Sequence, residues 1–171
     1  MSIVESFPPI AASSARVLIL GSMPGVRSLA AQQYYAHPQN AFWPILGRVC
    51  GFSGEVPYAE RTRQLVARGI GLWDVLRSCD RTGSLDTSIV PASMQANDFD
   101  GFFAGHPCID LVLCNGGTAF RLFTTRVVPT LRQPFTPRRC VKMPSTSPAH
   151  AGLGLSQKLA AWRAALAPAL A

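Results

Sequence analysis

The chain has 171 residues, 48% of them hydrophobic and 15% charged, which excludes a disordered chain and suits one domain, residues 1–171, with a sizeable core. Sixteen Lys and Arg, fourteen of them Arg, against nine Asp and Glu leave a net charge of +7. That excess favours an anionic partner such as nucleic acid, because Arg grips phosphate in a fork and stacks on flat rings.

The apolar runs are too short to span a bilayer, and the N-terminus MSIVESFPPI carries no export signal. Five cysteines without a CxxC argue against a disulfide framework or a metal cage, so a cytoplasmic protein is expected. Residues 16–22 (RVLILGS) form a short apolar run ending in Gly and Ser, which predicts a buried strand. Asn40–Cys50 has apolar residues at helical spacing and stops at Gly51, and Tyr58–Arg68 predicts a more polar helix ended by Gly69. Ile70–Leu76 predicts a second strand, residues 77–96 a loop, and Asp98 the cap of a short helix through Ala104. Ile109–Cys114 predicts a third strand, Gly116–Val127 a helix entered through Gly-Gly, and Arg139–Met143 a fourth strand. A loop over 144–154 and a helix over 155–166, closed by Pro168, complete the chain. Strands alternating with helices predict an α/β fold: a three-layer α/β/α sandwich on a central four-stranded, mainly parallel sheet. Ligands of such folds sit beyond the carboxyl ends of the strands, where GSMPG (21–25), Trp73-Asp74, NGG (115–117) and PSTSPAH (144–150) all fall.

Each of these segments has two readings. GSMPG serves as a tight turn set by Pro24 and Gly25, or as a cradle of N–H groups for an anion or a carbonyl oxygen. Asn40 caps the helix that follows it, or offers an amide that positions a water. Phe42 and Trp43 read as core. Tyr34 and Tyr35 read as loop rings able to stack on a flat ligand, a contact worth about 1–3 kcal/mol per base. Asp74, in an apolar strand, needs a partner: an arginine such as Arg77, or a ligand N–H. The 144–150 loop is a connection, or a grip on phosphates. His37 and His106 read as plain loop residues, and neither Lys142 nor Lys158 has a nucleophile's setting.

In order and spacing these segments resemble the uracil-DNA glycosylase superfamily from about Val17 to Gly152. GSMPG looks like that superfamily's first motif and MPSTSPA (143–149) like its second, while YAHPQNAFW (35–43) and GIGLWDVLRSCDR (69–81) resemble regions of its mismatch-specific members. Two departures narrow the match. Met23 stands where those members place a catalytic Asn, and Met143 where uracil-excising members place a His. The combination resembles the hypoxanthine-DNA glycosylases. The resemblance implies that Asn40 is catalytic, that Ser22 and Met23 present N–H groups to the base, and that Tyr35 covers the base's face. Gly21, Asp74 and Asn115 complete the base site, and Ser145, Thr146, Ser147 and His150 contact DNA. It further implies a monomer excising deoxyinosine from DNA with no metal and no cofactor. The alternatives are a uracil or mismatch glycosylase on the same fold, or a DNA-binding module without the chemistry.

Overall fold

The computed structural model describes residues 2–136 and 138–170. In chain order its elements are β1 (Ile3–Glu5), β2 (Val17–Gly21), α1 (Val26–Ala31), α2 (Phe42–Cys50), α3 (Tyr58–Ala67), β3 (Ile70–Asp74), β4 (Leu76–Asp80), β5 (Gln95–Ala96), α4 (Phe99–Gly105), β6 (Leu111–Asn115), α5 (Gly117–Leu122), β7 (Arg139–Met143) and α6 (Leu155–Leu170). The four predicted strands form one parallel sheet in the order β3-β2-β6-β7. Every residue of β2 and β3 is buried, which explains why both read as unbroken apolar runs rather than alternating ones.

The sheet separates two cores. On one face Val17, Ile19, Leu111 and Leu113 pack with Phe42, Ile45 and Leu46 of α2 and Trp162 and Leu166 of α6. On the other, Leu18, Leu20 and Val112 meet Phe99, Phe102, Phe103, Leu122 and Phe123. The predicted cap holds: the Asp98 side chain accepts the Gly101 N–H at 3.0 Å. Asp98→Ala is expected to cost about 1 kcal/mol in urea unfolding, because it strands that N–H at the start of α4.

Three expectations are corrected. Residues 77–96 are not one loop: after β3 the chain turns at Val75 into β4, which pairs antiparallel with β1 and β5 in a second, three-stranded sheet. These strands are short and polar, and β4 finds its partner at the chain's beginning, so no local periodicity marks them. α2 begins at Phe42, two residues later than read, and the unforeseen α1 follows GSMPG directly. α6 runs through Pro168 to Leu170. Near a helix end a proline removes only one intrahelical bond, and here Arg16 Nη2 donates to the Ala169 carbonyl and holds the last turn. Among the described residues no helix is long and apolar enough to cross a membrane.

Candidate functional site

A cavity of about 630 Å³ opens at the carboxyl end of the parallel sheet. Its lining includes Gly21, Ser22, Met23, Tyr35, Asn40, Asp74, Asn115, Ser145, Thr146, Ser147 and His150, the full set of site residues named from the sequence. A second hollow lies at the opposite pole around Arg16, Arg68 and Gly69 and includes none of them.

The register of the sheet builds the floor. Gly21 pairs with Asp74 across β2 and β3, and the ladder ends there. A methyl group on Gly21 would sit 2.5 Å from Asp74 Oδ1 and 3.3 Å from the Tyr35 hydroxyl, so only glycine leaves room for both polar groups. Asp74 is 4% exposed, and its Oδ2 has no hydrogen-bond partner. Arg77, the partner weighed for it from sequence, instead donates to Gln95 Oε1 at 2.7 Å on the surface. Burial pushes the Asp74 carboxyl up to about 7. Repulsion from Asp86 adds to the rise, and attraction to Arg81 opposes it.

The two tyrosines divide. Tyr34 is core, correcting its reading as a free loop ring: it is buried, and its hydroxyl donates to the Pro8 carbonyl at 3.0 Å. Tyr35 adopts φ of 55° and lays one ring face on Phe42, with centroids 3.9 Å apart. Its hydroxyl oxygen is buried without a partner. Burial, and then the nearby Asp74, pushes that hydroxyl well above the usual phenol range, against the Asn115 side chain, which lies close enough to favour the ionised form without meeting hydrogen-bond geometry.

Asn40 sits one residue before the N-cap of α2, which is Ala41, and still serves the helix start. Its Oδ1 accepts the Phe42 N–H at 3.0 Å, tying down the start of α2, while the residue lines the cavity. Asn115 lines the cavity with its carboxamide committed: Nδ2 donates to Thr146 Oγ1 and Oδ1 accepts the Thr146 N–H, both at 2.9 Å. Thr146, expected at a phosphate, is 1% exposed and also receives the Ala41 N–H on its carbonyl. It is therefore a strut of the site, while Ser145, Ser147 and His150 line the cavity around it. Helix α6 pins this loop at both ends, with Trp162 Nε1 donating to the Pro144 carbonyl at 3.1 Å and Lys158 Nζ to the His150 carbonyl at 2.6 Å.

Two participants escaped the sequence reading. Arg81, 2% exposed, directs its guanidinium at the carbonyls of Met23 and Pro24. Asp86 accepts the Ser22 hydroxyl at 2.7 Å, and Ser84 Oγ accepts the Val26 N–H at 2.8 Å. The segment 81–86 is thus a second wall that holds the GSMPG turn in place. Burial pushes the Asp86 carboxyl up, against the Ser22 hydroxyl and Arg81, which favour its charge. Arg81 forms no ion pair with either carboxylate among the described residues, so it steadies both at longer range. Arg81 closes the GIGLWDVLRSCDR segment without a role having been read for it, and Asp86 stands in no motif. A polar stretch carrying both an Arg and an Asp was the only local trace.

The family model described as the uracil DNA glycosylase superfamily matches residues 8–167. A hypoxanthine DNA glycosylase of Methanosarcina barkeri (strain Fusaro / DSM 804) is 39% identical over 113 residues, 66% of this chain and 70% of that protein. One from Methanosarcina acetivorans is 36% identical over 118 residues, covering 68% of this chain and 73% of its own length. A solution NMR structure from Methanosarcina acetivorans, given as a candidate uracil DNA glycosylase, superposes with a TM-score of 0.76 at 31% identity, covering 95% of this chain and 98% of that one.

Proposed function

The chain belongs to the uracil DNA glycosylase superfamily, and from that membership we propose that it is a monofunctional DNA glycosylase that removes hypoxanthine, the product of adenine deamination, from DNA. One observation carries the reading: Asn40, the turn at 21–25 and the unpartnered Asp74 line one cavity at the strand ends. The relatives named hypoxanthine DNA glycosylase support the choice of base.

Hydrolysis of the N-glycosidic bond passes through an oxocarbenium-like sugar, so the enzyme must hold a water near C1′ and stabilise the departing base. Asn40 positions that water by its carboxamide. Its Oδ1 keeps a second lone pair beside the bond to Phe42, and its Nδ2 remains as a donor. Backbone N–H groups of Ser22 and Met23 meet the base carbonyl, on a turn kept rigid by Arg81 and Asp86. Asp74 accepts N1–H of hypoxanthine. Adenine presents a lone pair at N1 and an amine at C6, the reverse order, and a closed pocket with unpaired polar groups rejects such an analogue strongly.

The base reaches this floor only when everted from the helix, which is cheapest for a mispaired base. Ser145, Ser147 and His150 hold the flanking backbone. The protein acts as a monomer in the cytoplasm and needs no metal or cofactor for this step. Incubation with labelled duplexes carrying inosine, uracil or xanthine, followed by alkaline cleavage, tests the reading. Strand breaks at inosine are expected. Breaks at uracil alone assign the chain to the uracil branch, and salt-sensitive binding without breaks makes it a binding module.

A further inference from the structure

We propose that the Tyr35 hydroxyl and the Asp74 carboxylate form a donor–acceptor pair that reads the O6/N1–H edge of the base, with Tyr35 contributing its oxygen rather than its ring. This rests on the hypoxanthine reading and adds a specificity-determining residue to it.

Two residues that line the cavity each bury a side-chain oxygen without a hydrogen-bond partner, Tyr35 Oη and Asp74 Oδ2. An orphaned buried polar group costs about 1–3 kcal/mol, so two around one point call for an occupant that completes them. The two side chains converge over Gly21, where a methyl group would lie 2.5 Å from Asp74 Oδ1 and 3.3 Å from Tyr35 Oη. Neither atom is free to retreat. Asp74 ends a fully buried strand, and the Tyr35 ring is clamped on Phe42 at an interplanar angle of 20°. That stack occupies one ring face, and the hydroxyl oxygen is shut off from solvent.

The pair presents a donor beside an acceptor. Hypoxanthine presents the complement, an acceptor at O6 beside a donor at N1. O6 has two lone pairs, so a turn N–H and the tyrosine hydroxyl can both be accommodated. Adenine would set its N1 lone pair against the carboxylate, and its amine could only donate to the hydroxyl oxygen, so the carboxylate excludes adenine and the hydroxyl's donated bond is gained by hypoxanthine alone. Guanine shares the hypoxanthine edge, so its exclusion falls to the space around C2 and not to this pair.

Tyr35→Phe removes one oxygen and keeps the ring and its stack. Because the lost atom has no partner in the free protein, the thermal midpoint is expected to stay or rise, while single-turnover kcat/KM on an inosine duplex falls roughly 10- to 100-fold. On a duplex carrying 2′-deoxynebularine, which lacks both O6 and N1–H, Tyr35→Phe and wild type are expected to cut alike. Asp74→Asn combined with Tyr35→Phe is expected to lose less than the product of the single losses, since the two groups read one edge. Undiminished cutting of inosine by Tyr35→Phe overturns the proposal. Equal losses on both duplexes also overturn it, because they mark a general packing defect. Wild-type cutting of uracil and not inosine would sink the hypoxanthine reading alone. Uracil carries the same order at O4 and N3–H, and Tyr35→Phe at wild-type rate on uracil would then sink the pair as well. A wild-type protein that cuts neither base overturns both.

Discussion

Asn40→Ser is expected to slow single-turnover excision of hypoxanthine by roughly 10²–10³ while leaving the thermal midpoint where it is. Asn40→Ala is expected to slow excision as much and to lose about 1 kcal/mol of stability besides. The two variants separate the residue's two tasks. The Asn40 carboxamide receives the Phe42 N–H at 3.0 Å, a task a serine hydroxyl performs nearly as well and alanine cannot. Holding a water beneath an everted sugar needs the longer side chain and its second polar atom, which both variants lack. A loss of roughly 10²–10³ corresponds to about 3–4 kcal/mol of transition-state stabilisation, the scale of one well-placed group in a water-poor site. Stopped or quenched single-turnover assays beside a melting curve measure both effects. A normal rate with a lowered midpoint in Asn40→Ala would reduce the residue to its role at the start of α2.

Asp74→Asn is expected to stabilise the protein at pH 8, and to abolish its preference for hypoxanthine over adenine. Burial, then Asp86, raise the folded carboxyl to about 7 against the pull of Arg81, while the unfolded chain titrates near 4. Between those two values the unfolded state has lost a proton that the folded state keeps. Wild-type stability therefore falls as pH rises from about 4 to about 7 and is flat above. Asparagine carries no such dependence, so its advantage grows across that window toward a ceiling on the order of 4 kcal/mol. The charged groups around the carboxyl are Asp86 and Arg81 from the second wall, with the Tyr34 and Tyr35 hydroxyls staying neutral throughout. In wild type, kcat/KM for inosine is expected to climb through about pH 7 as Asp74 ionises and begins to accept N1–H. The variant should show no such climb. Urea unfolding at several pH values and excision rates on inosine and adenine duplexes check the two halves. Unchanged selectivity would remove Asp74 from base recognition whatever its effect on stability.

A variant that gains stability as it loses selectivity marks a site held against its own folding preference. Gly21, Tyr35 and Asp74 fit that description, since an unpartnered carboxyl and an unpartnered phenol are buried over a glycine whose missing side chain makes room for them.

Most of what positions this site is written locally. β2, β3 and β6 announce themselves as apolar runs because a parallel strand covered on both faces has no polar side to display. The turn residues that follow them mark the strand ends, and the rule that ligands gather there places GSMPG, Asp74, Asn115 and the 144–150 loop on one rim, whereas Asn40 joins them only through the family resemblance. What the sequence left undecided has a common cause. Tyr34 and Tyr35 are neighbours of one type, yet one hydroxyl is tied to Pro8 and the other is buried without a partner, because that choice depends on which distant groups each ring meets. Arg81 and Asp86 lie in a polar stretch with no periodicity, and their place in the wall comes from contacts with Met23, Pro24 and Ser22 made through a second sheet that pairs the chain's first residues with β4. Thr146 and Asn115 could each have faced solvent, and the packing of one loop on one strand end turned them toward each other. Hydrophobic pattern and turn chemistry act within a few residues, so they determine elements and the end of the sheet where a ligand sits. The partner of each polar group is set across long sequence separations, where only the assembled packing decides which charges are buried and which hydrogen bonds are left open for a substrate.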